Sequence, residues 1–215
     1  EDVAETSVTV RITAEGVDVA LENFKYGDEA PGNLLPAGVE LTVQLLPTGS
    51  DTPALVGAYN LQAGVSYTLA AIGGANGWEL ALLPLVNETT PPAGGALVRI
   101  GHLAPFADAG TPGSTALDVY TARGEIVVEY IENPKVEDYL ALPAGTYDLF
   151  LAAAGANCGE EVLDLSPLSL DDGDIVDVFI IGLAPDDPNF SLQAASMEPA
   201  IESAAGIYLP MINGQ

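Results

Sequence analysis

The sequence predicts an all-β chain that folds as two tandem antiparallel β-sandwich domains. Three observations support this prediction. Apolar and polar residues alternate with period two, turn residues recur about every 8 to 12 positions, and the two halves of the chain share related motifs. The chain has 215 residues, of which 48% are hydrophobic, so it can bury two cores of ordinary domain size.

The predicted strands are short and are separated by Gly, Pro, Asn and Asp. Alternation is clearest in V-E-L-T-V-Q-L-L at 39–46 and in V-S-Y-T-L-A-A-I at 65–72. The predicted strands are 7–12, 17–21, 39–46, 65–72, 79–86, 96–100, 116–120, 126–131, 147–152, 175–181 and 190–196. No amphipathic helix longer than about two turns is predicted, and only 135–140 and 199–205 are candidates for a single helical turn.

The segment N-E-T-T-P-P-A-G-G at 87–95 predicts the domain boundary, because a Pro-rich and Gly-rich stretch cannot continue a strand ladder. We therefore expect a first repeat at 1–88, a linker at 89–95 and a second repeat at 96–198. The remaining residues, 199–215, form a tail that is a candidate docking strand.

The two halves carry four pairs of matching motifs, which predict two copies of one domain. The pairs are V-R-I at 10–12 and 98–100, V-D-V at 17–19 and L-D-V at 117–119, L-P-A-G at 35–38 and 142–145, and the glycine-containing stretches 61–73 and 170–182. The spacing within a pair increases along the chain from the first pair to the last. The second copy is therefore expected to hold extra residues, mainly at 102–115, and the first copy to be degenerate.

The second half also resembles a known family. V-R-I-G-H-L-A-P at 98–105 is followed by L-D-V-Y, then by D-Y-L-A-L-P-A-G-T-Y, and then by D-D-G-D-I-V-D-V-F-I-I-G. This combination resembles an uncharacterised family of secreted bacterial and archaeal domains that open with V-R-x-x-H-x-S-P-D-A-P-x-V-D-V-Y and occur in tandem on cell-surface proteins. The resemblance extends over 97–195, and more weakly over 8–86, where the H-x-A-P loop is missing. It implies sandwiches of the immunoglobulin-like type and no established activity.

The charge of the chain is strongly one-sided, with 31 Asp and Glu against 5 Lys and Arg and a formal net charge of −26. Such a chain repels nucleic acid and anionic lipid, so neither is an expected partner. No apolar run approaches the roughly 18 to 20 residues that a membrane span requires. A chain that opens on Glu1 without a signal segment, and has few lysines and one cysteine, Cys158, is expected to be a mature secreted, cell-surface protein.

His102 is the only histidine, and it follows a predicted strand. An imidazole can ligate a metal or act as a general base, but a zinc site needs further His or Cys ligands, and the sequence places none nearby. We therefore expect His102 to bond backbone groups of its own loop. Trp78 is likewise expected to cover a core, with sugar stacking as the alternative. Asn87 and Asn189 each begin an N-x-S/T acceptor sequence for glycosylation.

The segment S-L-D-D-G-D-I-V-D at 169–177 is the strongest candidate for a cation site. Its carboxylates, Asp171, Asp172, Asp174 and Asp177, are hard oxygen ligands of the kind that Ca²⁺ prefers. The spacing does not match an EF-hand, and Asp and Gly in this arrangement also favour a hairpin turn. Ca²⁺ is therefore the one cofactor for which the sequence offers weak candidate ligands, and the hairpin turn is the alternative.

No nucleophile elbow, phosphate loop, metalloprotease motif or acid–base carboxylate pair marks an enzyme. The sequence favours a non-enzymatic structural protein that associates with copies of itself into a cell-surface filament, sheath or layer. Strand addition through the chain termini is the expected route. The alternative is an adhesion module that binds glycans, other cell-surface proteins or another ligand through loops such as 102–115.

Overall fold

The computed structural model describes residues 7–25, 27–33, 35–182, 193–197 and 205–208. Across these residues the chain forms strands joined by turns, and no helix is present. The all-β prediction is confirmed. The described part of the chain accordingly holds no helix with the length and apolar character needed to cross a membrane.

The strands divide between two compact units. In chain order, the strands up to residue 87 are β1 (Val8–Ala14), β2 (Val17–Phe24), β3 (Glu29–Asn33), β4 (Glu40–Pro47), β5 (Leu55–Asn60), β6 (Ser66–Ile72) and β7 (Ala81–Asn87). The later strands are β8 (Gly95–His102), β9 (Leu117–Thr121), β10 (Ile126–Ile131), β11 (Lys135–Val136), β12 (Leu140–Pro143), β13 (Gly145–Tyr147), β14 (Leu149–Ala153), β15 (Glu161–Asp164), β16 (Leu168–Leu170), β17 (Ile175–Ile181), β18 (Gln193–Met197) and β19 (Ala205–Tyr208). Unit 1 contains β1 to β7 and β19, and unit 2 contains β8 to β18 together with residues 76–78.

Unit 1 consists of two four-stranded sheets. In the first sheet the strand order is β2-β1-β4-β5, and neighbouring strands are antiparallel. In the second sheet the order is β3-β19-β6-β7, and β19 is antiparallel to β3 but parallel to β6. Successive side chains of a strand project to opposite faces, so alternate residues of both sheets meet in one core. This core includes Val10, Ile12 and Val43 from the first sheet and Leu69 and Ala71 from the second.

Unit 2 has the same plan. One sheet has the order β10-β9-β14-β15 and is antiparallel throughout. In the other sheet β8 lies between β17, to which it is parallel, and the short strands β11 and β12, while β18 is the next strand beyond β17. β13 and β16 form an additional two-stranded sheet. Ile100, Val178 and Ile180 pack with Val119 and Leu151 of the facing sheet, so the unit is sandwich-like.

Each predicted strand overlaps an observed one, and most of these strands contribute apolar side chains to the core of their unit. The predicted helical turn at 135–140 is wrong: Lys135 and Val136 form β11, whose backbone pairs with His102 and Gly101 of β8. The other candidate turn, at 199–205, lies outside the described residues except for Ala205, which begins β19. β5 was not predicted, because it is an edge strand in which Gly57 and Ala58 interrupt the apolar alternation.

Positions of positive φ show that the two units correspond at a nearly constant spacing. Four glycine pairs have positive φ in both units: Gly16 and Gly124, Gly38 and Gly145, Gly64 and Gly173, and Gly73 and Gly182. The separation along the chain is almost the same in all four pairs. Asn23 and Tyr130 share this separation, have φ of 56° and 53°, and lie at irregularities in the pairing of β2 and β10. Turns and bulges require such backbone conformations, so these positions mark equivalent points of the fold.

This spacing corrects the predicted repeat alignment. The match between the L-P-A-G motifs and the match of 61–73 with 170–182 agree with it, and β6 corresponds to β17. Two other matches disagree with this spacing. They pair 10–12 with 98–100 and 17–19 with 117–119, and so align β1 with β8 and β2 with β9. Strand pairing instead equates β1 with β9 and β2 with β10. In unit 1 the position that β8 occupies in unit 2 is taken by β19, at the other end of the chain.

Candidate assembly site

β19 lies inside a sheet of unit 1, between β3 and β6. Ala205, Gly206, Ile207 and Tyr208 pair with residues 67–70 of β6. On its other side Ile207 pairs with Ala30 of β3. We call the space between β3 and β6 the strand slot of unit 1. An empty slot would leave two rows of backbone N–H and C=O groups without partners, so unit 1 requires a strand in this place.

β6 forms one wall of the slot, and all of its residues are buried. Leu69 faces the core, while Thr68 lies on the opposite face of the strand. Thr68 Oγ1 donates a hydrogen bond to Asn87 Oδ1 at 3.1 Å, and Asn87 Nδ2 donates to Ser66 Oγ at 3.1 Å. These three side chains are buried and uncharged, so this wall of the slot is polar but electrically neutral.

The equivalent place in unit 2 is filled by β8, and its chemistry is different. Arg99 of β8 and Asp177 of β17 are paired in register. Arg99 Nε donates to Asp177 Oδ1 at 2.9 Å, and Arg99 Nη2 donates to Asp177 Oδ2. Arg99 is 4% exposed and Asp177 is 0% exposed, so the two charges are buried as a bidentate pair.

Tyr139 completes this buried group. Its hydroxyl donates to Asp177 Oδ1 at 2.8 Å, and its ring centroid lies 4.6 Å from the Arg99 guanidinium carbon. Burial and the negative charge of Asp177 raise the pKa of Tyr139, so the hydroxyl stays protonated and remains a donor. Removing any member would therefore leave a buried charged or polar group with fewer partners.

The Arg99–Asp177 pair was not predicted, although the sequence carries a signal for it. Each residue stands inside a strand whose other residues are almost all apolar, G-A-L-V-R-I-G-H for Arg99 and I-V-D-V-F-I-I for Asp177. A charge in such a strand must be paired when the strand is buried on both faces.

The four candidate calcium ligands are not brought together as a cluster. Asp177 is bound by Arg99 and Tyr139. Asp172 Oδ1 accepts from the Gly94 N–H at 2.8 Å, and Asp174 Oδ2 accepts from the Asp171 N–H at 2.6 Å. Among the described residues no three His, Cys, Asp or Glu side chains are grouped to hold a metal ion. The segment forms a turn, but not the expected hairpin, because β16 and β17 pair with different strands.

His102 has the structural environment that the sequence analysis expected, and it is more deeply buried, at 0% exposure. Its Nε2 lies 2.9 Å from the Thr115 carbonyl oxygen, and its Nδ1 accepts from the Ala104 N–H at 3.2 Å. The ring stacks on Phe106 at a centroid distance of 5.6 Å. Burial lowers the pKa of His102 to about 4, against the smaller opposing effect of the Thr115 carbonyl. The imidazole is therefore neutral at ordinary pH and donates to Thr115 through Nε2.

The other singled-out residues have local roles. Trp78 is partly buried, and its Nε1 donates to the Ala107 carbonyl at 2.9 Å. Asn87 is 6% exposed and engaged with Ser66 and Thr68, so the folded chain does not present it for glycosylation. Asn189 lies outside the described residues. Cys158 is an exposed free thiol.

Fold and slot together define a class of protein: an all-β chain of two sandwich-like units, in which β19, the last strand among the described residues, completes the first unit. The family model described as a domain of unknown function, DUF4397, matches residues 3–110, which is half of the chain. The chain belongs to this family. The matched range extends past unit 1 and includes β8 with part of the loop that follows it.

Two solved structures are similar to parts of this chain. The C-terminal domain of AlgF from P. aeruginosa is 21% identical with a TM-score of 0.34, and the match covers 49% of this chain and 98% of that one. The Bacillus anthracis TIE protein is 10% identical with a TM-score of 0.19, and the match covers 98% of this chain and 48% of that one. This chain thus spans about half the length of the TIE structure. No curated protein matches the sequence.

Proposed function

We propose that this protein is a non-enzymatic structural subunit of the cell exterior, built from two immunoglobulin-like sandwich domains, that joins copies of itself by strand addition. In the joined state the C-terminal strand of one subunit occupies the strand slot of unit 1 in the next. The observation that carries the proposal is the place of β19: unit 1 is completed by a strand that comes from the far end of the chain.

The same contacts can form within a chain or between two chains. A strand from a second copy would make the backbone pairs with β3 and β6 that β19 makes within its own chain. Exchange therefore changes which chain supplies the strand, while the backbone pairs with β3 and β6 stay the same. Each subunit offers one slot and one strand, so exchange joins subunits head to tail and builds an open polymer.

Concentration governs the choice between the two arrangements. Residues 198–204 connect β18 to β19, and a short tether gives the strand an effective concentration on the order of millimolar for its own slot. Exchange is consequently favoured where subunits are crowded, as at a cell surface. The net charge of −26 keeps free subunits soluble and suits an exterior location.

The cross-linking test places one cysteine on each side of the slot. Ala30 and Ile207 pair across β3 and β19, so A30C/I207C in a C158S background can form a disulfide only when the slot is filled. At high protein concentration, oxidation should give a ladder of covalent oligomers on a non-reducing gel. At low concentration it should give closed monomers.

The matched control is T9C/L46C in the same background, because these residues pair across β1 and β4 within unit 1. This control should give monomers at every concentration. Light scattering on the uncross-linked protein, with and without Ca²⁺, gives the native mass and also tests the role of Asp171, Asp172 and Asp174. Particles of polymer mass whose 30–207 disulfides lie within single chains would overturn strand addition. A monomeric mass at all concentrations would overturn self-assembly itself.

A further inference from the structure

We propose that the strand slot of unit 1 selects its strand by charge, with Thr68 as the specificity-determining residue that accepts the β19 sequence and excludes a β8 sequence. For strands supplied by a second copy, this inference rests on the proposed function. Selection itself acts equally on the chain's own strand, so it can be tested in a monomer.

We call the place of β8 beside β17 the slot of unit 2. In both slots the inserted strand meets the wall strand at an equivalent register position. In unit 2 the wall strand β17 presents Asp177 opposite Arg99 of the inserted strand. In unit 1 the wall strand β6 presents Thr68 opposite Gly206 of the inserted strand. Thr68 and Asp177 are equivalent, because each stands at the same distance along the chain from the positive-φ glycines that flank its strand.

The wall residues differ in what they can pair with. Asp177 is a buried carboxylate that needs a cation, and Arg99 supplies it with two hydrogen bonds. Thr68 is uncharged, and its hydroxyl donates to the Asn87 side chain. A strand with arginine at this register would bring a positive charge against β6, a buried strand with no carboxylate to receive it, while Glu29 on the β3 side of the slot pairs with Tyr208 and is exposed.

Exclusion also operates in the opposite direction. A strand with the β19 sequence in the slot of unit 2 would place glycine opposite Asp177 and leave that carboxylate without its cation. Each strand is therefore matched to one slot and mismatched to the other. The consequence for assembly is a single kind of junction, C-terminal strand into unit 1, with β8 retained in its own unit.

The test measures slot occupancy as the fraction of chains that form the 30–207 disulfide under mild oxidation, in the 215-residue A30C/I207C/C158S protein. The variant G206R should lower occupancy at equilibrium by at least about tenfold, because it places a positive charge opposite the buried, uncharged Thr68. The variant G206M has a side chain of similar length without the charge and is the matched control, so its loss should be clearly smaller.

The decisive variant is T68D/G206R, which introduces at the unit 1 register the residue types that unit 2 carries as Arg99 and Asp177. Its slot occupancy should recover to within about threefold of that of the A30C/I207C/C158S protein. This occupancy should also exceed the occupancies of the T68D and G206R single variants. Equal occupancy of G206R and G206M would overturn selection by charge. Failure of the double variant to exceed G206R would overturn the role of Thr68.

This readout separates the two proposals. Disulfides within one chain and disulfides between chains both count as occupancy, so the selection result is obtained even from a protein that stays monomeric. A monomeric protein with the expected order of variants would overturn the proposed assembly and uphold the selectivity of the slot.

Discussion

The two units have the same sheet order and the same orientation of neighbouring strands, yet one strand, β8, precedes the rest of unit 2 in the chain, while its counterpart in unit 1, β19, follows all the other strands of that unit. Unit 2 opens with β8 and is complete within a continuous stretch that ends at β18. In unit 1 the equivalent place is taken by β19, which follows unit 2 along the chain. The difference teaches that the same parallel pairing with the wall strand can be made by a strand that precedes it, as β8 precedes β17, or by one that lies far beyond it along the chain, as β19 does for β6.

Each unit also contains an Arg–Asp pair with the same hydrogen-bond geometry, but the two pairs differ in exposure to water. Arg11 and Asp18 in unit 1 form a fork with Nε to Oδ1 at 2.9 Å and Nη2 to Oδ2 at 2.6 Å. Arg99 and Asp177 in unit 2 make the same pair of contacts. The first pair lies at the surface, with side chains 48% and 56% exposed, and the second is buried. Because water solvates only the first pair, burial alone should separate their contributions to stability.

The largest effect is expected from D177N in unit 2. This change leaves the Arg99 guanidinium buried without its counter-charge, which should lower the free energy of unfolding of unit 2 by about 3 to 5 kcal/mol. Amide hydrogen exchange measured separately for β17 and β6 assigns the loss to one unit. The control R99M/D177L replaces both charges by apolar side chains and should lose less than D177N. A double variant that loses more than D177N would contradict this account of the buried pair.

An intermediate effect is expected from the titration of His102, the only histidine of the chain, which lies in unit 2. Burial lowers the pKa of His102 to about 4 in the folded state, while the unfolded value is near 6.5. Between these values the unfolded chain binds more protons, so unit 2 should lose stability as the pH falls from about 6.5 to about 4. Below that window His102 is protonated in both states and adds no further loss.

The variant H102Q tests this pH dependence. Glutamine retains an N–H donor for the Thr115 carbonyl and does not titrate, so the difference in unfolding free energy between wild type and H102Q should narrow as the pH falls from 7 to 4. Urea unfolding at several pH values within this range measures it. A constant difference would mean that His102 titrates alike in the folded and unfolded states.

Periodicity was enough to predict the strands that build the cores, because each of them contributes an apolar face. β6 and β17 are mostly apolar and are interrupted only by Ser66 and Thr68 in β6 and by Asp177 in β17, and both were predicted within one residue of their observed bounds. The place of β19 could not be predicted in the same way. Its partners β3 and β6 belong to the first half of the chain, and alternation within a strand carries no information about which sheet it joins.

The repeat alignment failed for a related reason. V-R-I and V-D-V are ordinary strand patterns, so matching letters aligned β1 with β8, whereas the constant spacing of left-handed glycines aligns β1 with β9. Of the candidate site, the sequence indicated a docking tail but not its slot. Asp177 was singled out for its carboxylate, yet its partner Arg99 lies 78 residues away, and only the parallel pairing of β8 and β17 brings them together.

The smallest effect is expected from D18N, the surface counterpart of D177N. The hydrogen bond and charge of Arg11 lower the pKa of Asp18, but both side chains are about half exposed, so water and salt replace most of what the pair provides. Unit 1 should therefore unfold at the same urea concentration as wild type, within error, and raising the salt concentration should not separate the two proteins. Because the two forks share their geometry, the contrast between D18N and D177N measures the effect of burial together with the contacts that Tyr139 adds to the buried pair. A loss in D18N comparable to that in D177N would mean that the Arg–Asp geometry, and not the exclusion of water, determines what such a pair contributes here.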